Sequence, residues 1–387
     1  MRAGASRIAF PLLVDRFGGR ISLKWYGIFF ALWCLCWKPA AGQGIPLPEA
    51  HKDLAFSAFF QQTNHWAAGD VAATIPLSDG RVMWLFGDSY VDQFDPAGGT
   101  VPCLFNARNA CLVQSTNDLM HPRTLCHFES PNKSFFRPPG TGESDFWPCF
   151  WPAAGFQSGR NIYVYLTEIQ KTPQGGMWGF KSIGQDWAKL SFPELKVTGY
   201  TELPSFNGIS FGCGFVRETN GGFTYAFGDR HHSIGSDVFV ARFPTANPEG
   251  NWTFWNGERW DVNVANAAVV ATGASVSVNV CKVQARFLLV TTAFSVACDQ
   301  GREIYFATSD GPTGPFSPRQ KIFTVDDAVD GHQPFFYSAV PHPEFINSQG
   351  LLITYCINGY APCVPTCVNG RMNPDYYRPR AIRLPLK

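Results

Sequence analysis

Charged residues are scarce in this sequence. Asp, Glu, Lys and Arg make up only 16% of its 387 residues, and the formal net charge is +1. A nucleic-acid-binding surface needs clustered positive charge, so this balance argues against DNA or RNA as a partner. Apolar residues reach 45%, which excludes a disordered chain, and the length suffices to bury a sizeable core.

Helical periodicity is also missing, because no stretch repeats apolar residues with a helical period. Aromatic residues account for 15% of the chain, and 37 Gly and 29 Pro punctuate the strand-like runs. This composition is typical of a sandwich, barrel or propeller. We therefore predict an all-β fold class.

Several motifs that carry chemistry are absent. The sequence has no CxxC pair, no Cys/His cluster at zinc spacing, no HExxH motif, no phosphate-cradling glycine loop and no Ser-His-Asp constellation. These absences leave zinc binding, and hydrolysis by those routes, without support.

One apolar run near the N-terminus is typical of a targeting signal. Arg16, Arg20 and Lys24 precede "WYGIFFALWCLCW", and small residues follow in "KPAAGQG". We predict a signal peptide and n-region over residues 1–42, with Gln43 as the mature N-terminus and a buried helix as the alternative. The product is then expected to be secreted, periplasmic or extracellular, with no membrane insertion after signal removal.

The cysteines agree with export. Ten remain beyond the predicted signal, an even number, and an even set in an exported chain suggests disulfides whose pairing the sequence leaves open. They are Cys103, Cys111, Cys126, Cys149, Cys213, Cys281, Cys298, Cys356, Cys363 and Cys367.

One strand-like unit recurs five times along the chain. Each copy is a turn followed by a β-branched and aromatic run, and the copies start 62 to 79 residues apart. Further extended stretches precede and follow them. The copies are "GRVMWLFGDS" from Gly80, "GRNIYVYLTEI" from Gly159, "GGFTYAFGDR" from Gly221, "QARFLLVTTAF" from Gln284 and "QGLLITYCIN" from Gln349. This repeat predicts a five-bladed β-propeller, with a pair of β-sandwiches as the alternative.

We predict a single propeller domain over residues 43–387. The segment 53–60, "DLAFSAFF", is expected to supply the outer strand of the last blade and so close the ring beside "RPRAIRLPL". The blades are expected at roughly 66–130, 143–200, 205–262, 266–325 and 330–387.

Carboxylates end the second strand of several blades. Asp88 and Asp229 follow Phe-Gly in two copies, and Glu168 ends the equivalent strand of blade two. A propeller delivers all of these strand ends to one mouth, which should therefore be acidic.

The first hairpin should bring two carboxylates together. Pairing back from the turn "SDGR" sets Asp88 opposite Val71 and Asp70 opposite Ser89. Neighbouring positions on paired strands lie within about 5–8 Å. Asp70 and Asp88 are then close enough for their pKa values to separate, and this provides an acid and a base or nucleophile for cleaving a glycosidic bond. The alternative is that they bind turn amides or a structural cation.

Other side chains are expected at the same mouth. Trp66, Trp147 and Trp151 could stack on sugar rings, or pack within blades. Arg108 and Asn109 open the third strand of blade one and could bind hydroxyls or orient a carboxylate. Supporting or acid candidates are Glu168, Asp229 and Glu344, and His342 is a candidate metal ligand or core histidine.

Beyond these patterns, the sequence resembles a group of secreted five-bladed propellers. The likeness runs from about Trp66 to Leu386 and is carried by "SDGRVMWLFGDS", "NARNACLVQ", "EIYFATSDGPTGPFS", "GLLITYCIN" and "YYRPRAIRL". Many of these proteins are domains of unknown function, related to the arabinanase-like and endo-D-arabinanase glycoside hydrolases.

The resemblance implies catalysis by carboxylates around the tunnel mouth. It implies a base at Asp70 and a pair of aspartates at Asp70 and Asp88. The acid Glu of the arabinanase-like group has no secure counterpart in this sequence, where Glu168, Glu344 and, more weakly, Glu143 are the candidates. Relatives also hold a tunnel-centre cation through a histidine, which directs attention to His342.

Together these features predict an exported glycoside hydrolase acting on a polysaccharide or oligosaccharide, with an arabinan-type glycan as one candidate. The alternative is a carbohydrate-binding propeller without turnover, and a structural or interaction module is a third reading. No cofactor is required, and a structural or catalytic Ca²⁺ is the only metal expected.

Overall fold

A computed structural model describes residues 49–175, 179–218, 221–232, 235–275, 277–295, 301–360, 364 and 366–386. The predicted signal peptide lies outside these residues, as do Cys298 and Cys363. Within the described ranges, no helix is both long and apolar enough to cross a membrane.

The chain folds into five antiparallel sheets that form a five-bladed β-propeller, which confirms the predicted fold. In chain order, β1 (His51–Lys52), α1 (Leu54–Ser57) and a 3₁₀ turn (Ala58–Phe60) come first. Blade one has β2 (Trp66–Pro76), β3 (Val82–Val91), β5 (Ala110–Gln114) and β6 (Arg123–Leu125), with β4 (Val101–Pro102) in a loop. Blade two has β7 (Cys149–Ser158), β8 (Asn161–Lys171), β9 (Phe180–Ser191) and β10 (Val197–Glu202).

The remaining blades repeat this plan. Blade three has β11 (Ser210–Arg217), β12 (Phe223–His232), β13 (Gly235–Pro244), β14 (Thr253–Trp255), β15 (Trp260–Asp261) and β16 (Ala271–Ala274), with a 3₁₀ turn at Val264–Asn266. Blade four has β17 (Val278–Val283), β18 (Arg286–Thr292), β19 (Glu303–Ser309) and β20 (Gln320–Thr324). Blade five has β21 (Phe335–Asn347), β22 (Gly350–Asn358) and β24 (Arg380–Leu384), while β23 (Arg371–Met372) and a 3₁₀ turn (Pro374–Tyr377) precede β24.

The first strands of the blades line the centre of the ring. Strand β2 contacts β7, β7 contacts β11, β11 contacts β17, β17 contacts β21, and β21 contacts β2. Each following strand lies one step further out in its sheet. The starts of five strands that are distant in sequence therefore share one end of the propeller.

The ring is closed by a different segment from the one predicted. Strand β1 pairs with β24, His51 opposite Arg383 and Lys52 opposite Ile382. Residues 53–60, expected as the outer strand, instead form α1 and the 3₁₀ turn. Asp53 begins the helix by accepting a hydrogen bond from the Phe56 amide, and this cap competes with an extended conformation.

The hydrophobic core lies between successive blades. Along β3, Met83 and Leu85 face blade two, while Trp84 and Phe86 pack with the α1 segment and the edge of blade five. Both faces of this strand are buried, because side chains alternate between them. Middle strands consequently read as continuous apolar runs, and this is the repeated pattern seen in the sequence.

One disulfide joins distant parts of the chain. It links Cys103, in the loop after β4, to Cys367, just before β23. Six other cysteines among the described residues are unpaired, although the even number of cysteines had suggested disulfides. Those six are Cys111, Cys126, Cys149, Cys213, Cys281 and Cys356.

Candidate active site

A cavity of about 1480 Å³ opens where the inner strands begin. It is larger than the roughly 300–1,000 Å³ of most small-ligand pockets. All five blades contribute to its walls, through residues such as Asp70, Trp151, Ser210, Val278 and Tyr337. Side chains from the whole length of the domain therefore face one space.

Asp70 and Asp88 both line this cavity, although the register that joins them differs from the prediction. Ser89 pairs with Gly69 rather than with Asp70, and Phe86 pairs with Val71. Gly87 and Asp88 together stand opposite the single residue Asp70. This is a β-bulge, which the regular pairing assumed from the turn could not reveal. The bulge keeps the two carboxylates adjacent despite the shift in register.

The backbone beside Asp70 is strained. Val71 has φ of 72° and Ala72 has φ of 55°, in the left-handed region that side chains with a Cβ, and β-branched ones above all, seldom adopt. The hydroxyls of Tyr337 and Tyr377 donate to Oδ2 of Asp70 at 2.8 and 2.9 Å. Such strain persists only where the surroundings over-determine it, and it concentrates at functional sites.

Gly87 leaves room for the other oxygen of Asp70. A Cβ built on Gly87 would lie 2.3 Å from Asp70 Oδ1, far inside van der Waals contact. Glycine at this position therefore allows the carboxylate to keep its place above the backbone.

Gly87→Ala tests this contact. If Asp70 acts on substrate, turnover should fall about a hundredfold, because the added methyl displaces its carboxylate by a fraction of an ångström or more. Initial rates of reducing-end release from polysaccharides provide the measurement. Gly199→Ala is the matched control, since the same change in β10 meets open space. Full activity in Gly87→Ala would contradict the proposed position of Asp70.

Asp88 is surrounded by N–H donors. Nη1 of Arg108 lies 3.2 Å from each carboxylate oxygen, and Nε1 of Trp151 donates to Oδ1 at 3.2 Å. Burial nevertheless raises the pKa of Asp88 to about 7, with the charge of Asp70 adding to the rise and that of Arg108 opposing it. Asp88 can therefore carry a proton near neutral pH.

The pKa of Asp70 is also raised, chiefly by burial, and the two tyrosine hydroxyls oppose this rise. Burial, together with the charge of Asp70, raises the pKa of Tyr337 and Tyr377 well above the usual value, so both phenols stay protonated and donate. Two carboxylates in one apolar site resist simultaneous ionisation and titrate as a pair.

Arg108 is fixed by aromatic rings. Its guanidinium carbon lies 4.1 Å from the centre of the Trp147 ring, 5.5 Å from Trp151 and 5.1 Å from Phe105. Its Nε donates to the Cys149 sulfur at 3.3 Å. Of the two functions considered for Arg108, the structure shows the one in which it orients a carboxylate. Trp147 and Trp151 both line the cavity, as expected for rings that could meet a sugar.

Asp229 occupies the equivalent strand end in blade three and also lines the cavity. Its Oδ2 accepts a hydrogen bond from Ser236 Oγ at 2.8 Å and lies 3.2 Å from His231 Nδ1. The Cys213 thiol lies 3.4 Å from Oδ1. The carboxylate is 7% exposed, and burial raises its pKa.

Two predicted sugar-binding residues do not reach the cavity. Trp66 is fully buried against Phe86, with ring centres 4.4 Å apart, and its Nε1 donates to Ser89 Oγ. Asn109 is also fully buried, where its Nδ2 donates to the carbonyls of Phe136 and Phe150. Both side chains hold the blade together, so their predicted contact with substrate is wrong.

His342 is not among the residues that line the cavity. It is fully buried, and its ring nitrogens are 2.7 Å from Thr74 Oγ1 and 2.8 Å from Thr354 Oγ1. With both nitrogens engaged, the expected metal ligation by His342 does not fit this structure. Among the described residues, no three His, Cys, Asp or Glu side chains are grouped to hold a metal ion.

The glutamate candidates for the acid are also misplaced. Glu344 lies beside His342, and although burial acts to raise its pKa, His342 and Thr74 lower it overall, which favours the ionised form. Glu168 is not among the residues that line the cavity, although its carboxylate lies against Gly184 in the wall, and burial together with the charge of Glu202 raises its pKa. Glu143 lies exposed in the loop before β7.

Several cavity residues were missed by sequence reasoning. Tyr337 and Tyr377 contact Asp70, Asn358 donates to the Tyr337 hydroxyl at 3.2 Å, and Glu202 is exposed on the wall. The available signal was weak, because the tyrosines lie in aromatic stretches, "PFFYSAV" and "DYYRPR", that strand packing explains equally well.

Comparison with known sequences gives one family. The profile of a domain of unknown function, DUF5005, matches residues 53–385, nearly all of the described chain. No curated protein matches the sequence.

Comparison with solved structures shows the same fold elsewhere. A protein from Bacteroides ovatus, described as a candidate hydrolase, superposes with a TM-score of 0.69 at 20% identity, covering 86% of this chain and 89% of that one. Weaker likenesses, both at a TM-score of 0.44, join a GH62 α-L-arabinofuranosidase from Coprinopsis cinerea and a GH43 protein from Bacillus licheniformis. The arabinofuranosidase is 9% identical, and the match covers 83% of this chain and 96% of that one. The GH43 protein is 14% identical, and the match covers 77% of this chain and 50% of that one, so the chain spans half of the GH43 protein. The Bacteroides likeness shows a shared fold, at an identity too low to transfer an activity.

Proposed function

The chain belongs to the DUF5005 family, and from the geometry of its cavity we propose that it is a glycoside hydrolase acting on a polysaccharide or oligosaccharide. The observation that carries this proposal is the carboxylate pair. Asp70 and Asp88 face one large cavity, each with its own set of donors, and burial raises the pKa of both carboxyls, that of Asp88 to about 7. Glycosidic cleavage needs a base or nucleophile and a source of protons.

Asp70 is the base or nucleophile of this proposal. Both tyrosine hydroxyls bind its Oδ2, and these hydrogen bonds favour its ionised form over that of a carboxylate with no donors. The other oxygen, Oδ1, stands over Gly87. Asp88, tied to Arg108, can hold a proton near neutral pH, and in that form it does not oppose ionisation of Asp70.

The walls suit a sugar chain. Trp147 and Trp151 offer aromatic faces, and Asn279, Asn358 and Gln185 offer amides that can bind hydroxyls. An arabinan-type glycan is the first substrate class to test, because the sequence resembles arabinanase-like enzymes.

Export is part of the same proposal. The Cys103–Cys367 disulfide supports an oxidising compartment, in keeping with the signal peptide predicted over residues 1–42. Secretion can be measured directly, by sequencing the N-terminus of protein recovered outside the producing cell, where Gln43 is expected.

A glycan panel tests the function. Purified protein is incubated with arabinans, xylans, galactans and bacterial-wall polysaccharides, and new reducing ends are counted. We expect release from at least one of them. Retention on a glycan column with no reducing-end release would instead support the binding propeller without turnover and would overturn the hydrolase proposal.

A further inference from the structure

His231 stands on the blade-three wall of the cavity with an oriented ring. Its side chain is 58% exposed, whereas that of Asp229 beneath it is only 7% exposed. Nδ1 lies 3.2 Å from Asp229 Oδ2 and 2.9 Å from Ser236 Oγ.

The hydrogen bonds determine which nitrogen carries the proton. Ser236 uses its one proton to donate to Asp229 Oδ2 at 2.8 Å, so its oxygen can only accept from His231. Nδ1 of His231 is therefore the protonated nitrogen in the neutral ring. Among the described residues nothing hydrogen-bonds Nε2, and the ring lines the cavity. A buried carboxylate behind Nδ1 and an open Nε2 is the arrangement of a proton-transfer histidine.

The proposed reaction requires such a group. The leaving oxygen of a glycoside must be protonated, and none of Glu168, Glu344 and Glu143 is among the residues that line the cavity. Glu202 does line it, but no carboxylate in the described part of the chain orients its side chain as Asp229 orients His231. Asp88 is poorly placed to donate, because Arg108 and Trp151 direct N–H groups at its oxygens. An acid is missing from the wall that bears the carboxylate pair.

We propose that His231 is the general acid of this site and that Asp229 is the residue that positions it. This inference rests on the proposed hydrolase function and extends it by one catalytic residue. Nε2–H of the imidazolium gives its proton to the leaving oxygen as the bond from the anomeric carbon to that oxygen breaks, and the electron pair stays on the oxygen.

The remaining bonds balance in either stereochemical course. In a retaining course Asp70 bonds to the anomeric carbon, and water then breaks that ester bond and gives its proton to the neutral His231 ring. In an inverting course Asp70 takes a proton from the water that attacks the anomeric carbon and later releases it to solvent. The ionised Asp229 stabilises the imidazolium before transfer, and the neutral ring left afterwards recovers a proton from water. The acid and the base then stand on different blades that line one cavity.

His231→Gln tests the assignment through the leaving group. The probes are the panel polysaccharide that the wild type cleaves and the 4-nitrophenyl glycoside of the oligosaccharide released from it. We expect kcat/KM on the polysaccharide to fall by about 10²–10⁴, and on the nitrophenyl glycoside by less than about tenfold, because nitrophenolate leaves without protonation. A purely structural effect would lower both equally.

Matched variants complete the test. His232→Gln changes the adjacent histidine, which lies 3.7 Å from Asp237 and is outside the cavity wall, and should leave both rates unchanged. Asp229→Asn should reproduce the selective loss in weaker form. The same selective loss in Glu202→Gln but not in His231→Gln would assign the acid to Glu202 and overturn the proposal.

These experiments distinguish failure of the hydrolase proposal from failure of the His231 proposal. If Asp70→Asn abolishes cleavage of both probes while His231→Gln leaves the polysaccharide rate intact, the hydrolase stands and His231 is not its acid. If the wild type cleaves nothing in the panel, the hydrolase falls and His231 with it. Nitrogen NMR of the protein without substrate measures the tautomer of the His231 ring. In the neutral ring the proton should be on Nδ1. A proton on Nε2 would overturn the assignment.

Discussion

Asp70→Asn is expected to reduce turnover of the cleaved glycan by about a thousandfold or more, because an amide neither attacks the anomeric carbon nor accepts a proton from water. Asp88→Asn should also lose activity, since an amide replaces one acceptor oxygen with an N–H group that meets the donors of Arg108 and Trp151, and the carboxylate that orients Arg108 is lost. Initial rates of reducing-end release measure both losses.

Stability separates this loss from misfolding. Asparagine has nearly the shape of aspartate. Asp70→Asn removes one of two buried, mutually repelling carboxylates, so its unfolding temperature should be unchanged or slightly raised. Asp88→Asn also leaves the buried Arg108 without its carboxylate partner, so its unfolding temperature should fall while the protein stays folded at assay temperature. Asp79→Asn is the control, because Asp79 lies in the exposed turn of the same hairpin and bonds only to Arg81 and its own loop. Full activity in either Asp70→Asn or Asp88→Asn would show that the pair is not the catalytic centre.

The free energy of unfolding should fall as pH rises from about 4 to about 7, and Asp88 should account for a large part of that fall. Its pKa is raised from 3.8 to about 7 in the folded protein. The folded state therefore binds more protons than the unfolded chain between these limits. The stabilising contribution is present below pH 4 and is lost as pH rises through 7.

The expected size follows from the shift. Each pKa unit corresponds to about 1.4 kcal/mol, so Asp88 contributes on the order of 2–4 kcal/mol across the range. Urea unfolding of the wild type and of Asp88→Asn at several pH values measures it. The difference between the two proteins should change with pH below 7 and level off above it. A difference that stays constant from pH 4 to 8 would mean that Asp88 titrates normally.

The architecture was accessible from the sequence because it is repeated. Each blade interface is built from alternating side chains of one middle strand, so every copy carries the same apolar run with a turn before it. Met83, Trp84, Leu85 and Phe86 show this pattern within a single strand. The placement of carboxylates at the ends of these strands follows from the same repeat. Residues 53–60 differ from the prediction, because the helix cap at Asp53 favours a helix over the strand that their composition suggested.

The environment of the carboxylates was decided by tertiary structure. Tyr337 and Tyr377 reach Asp70 from 267 and 307 residues further along the chain, across the junction where blade five meets blade one. Nothing local to "AAGDVAA" specifies those partners, or the bulge that sets Asp70 against Gly87 and Asp88. Trp66 and Asn109 lie close in sequence to residues that line the cavity, but their own side chains are buried within the blade.

The sequence by itself determined the propeller and the acidic strand ends, since both depend on alternation and turns within a few residues. Only the closed ring decided which side chains face the shared cavity, which donors surround each carboxylate and how His231 is oriented. Those contacts join residues brought together by the packing of whole blades, and their energies depend on burial, which local sequence does not encode.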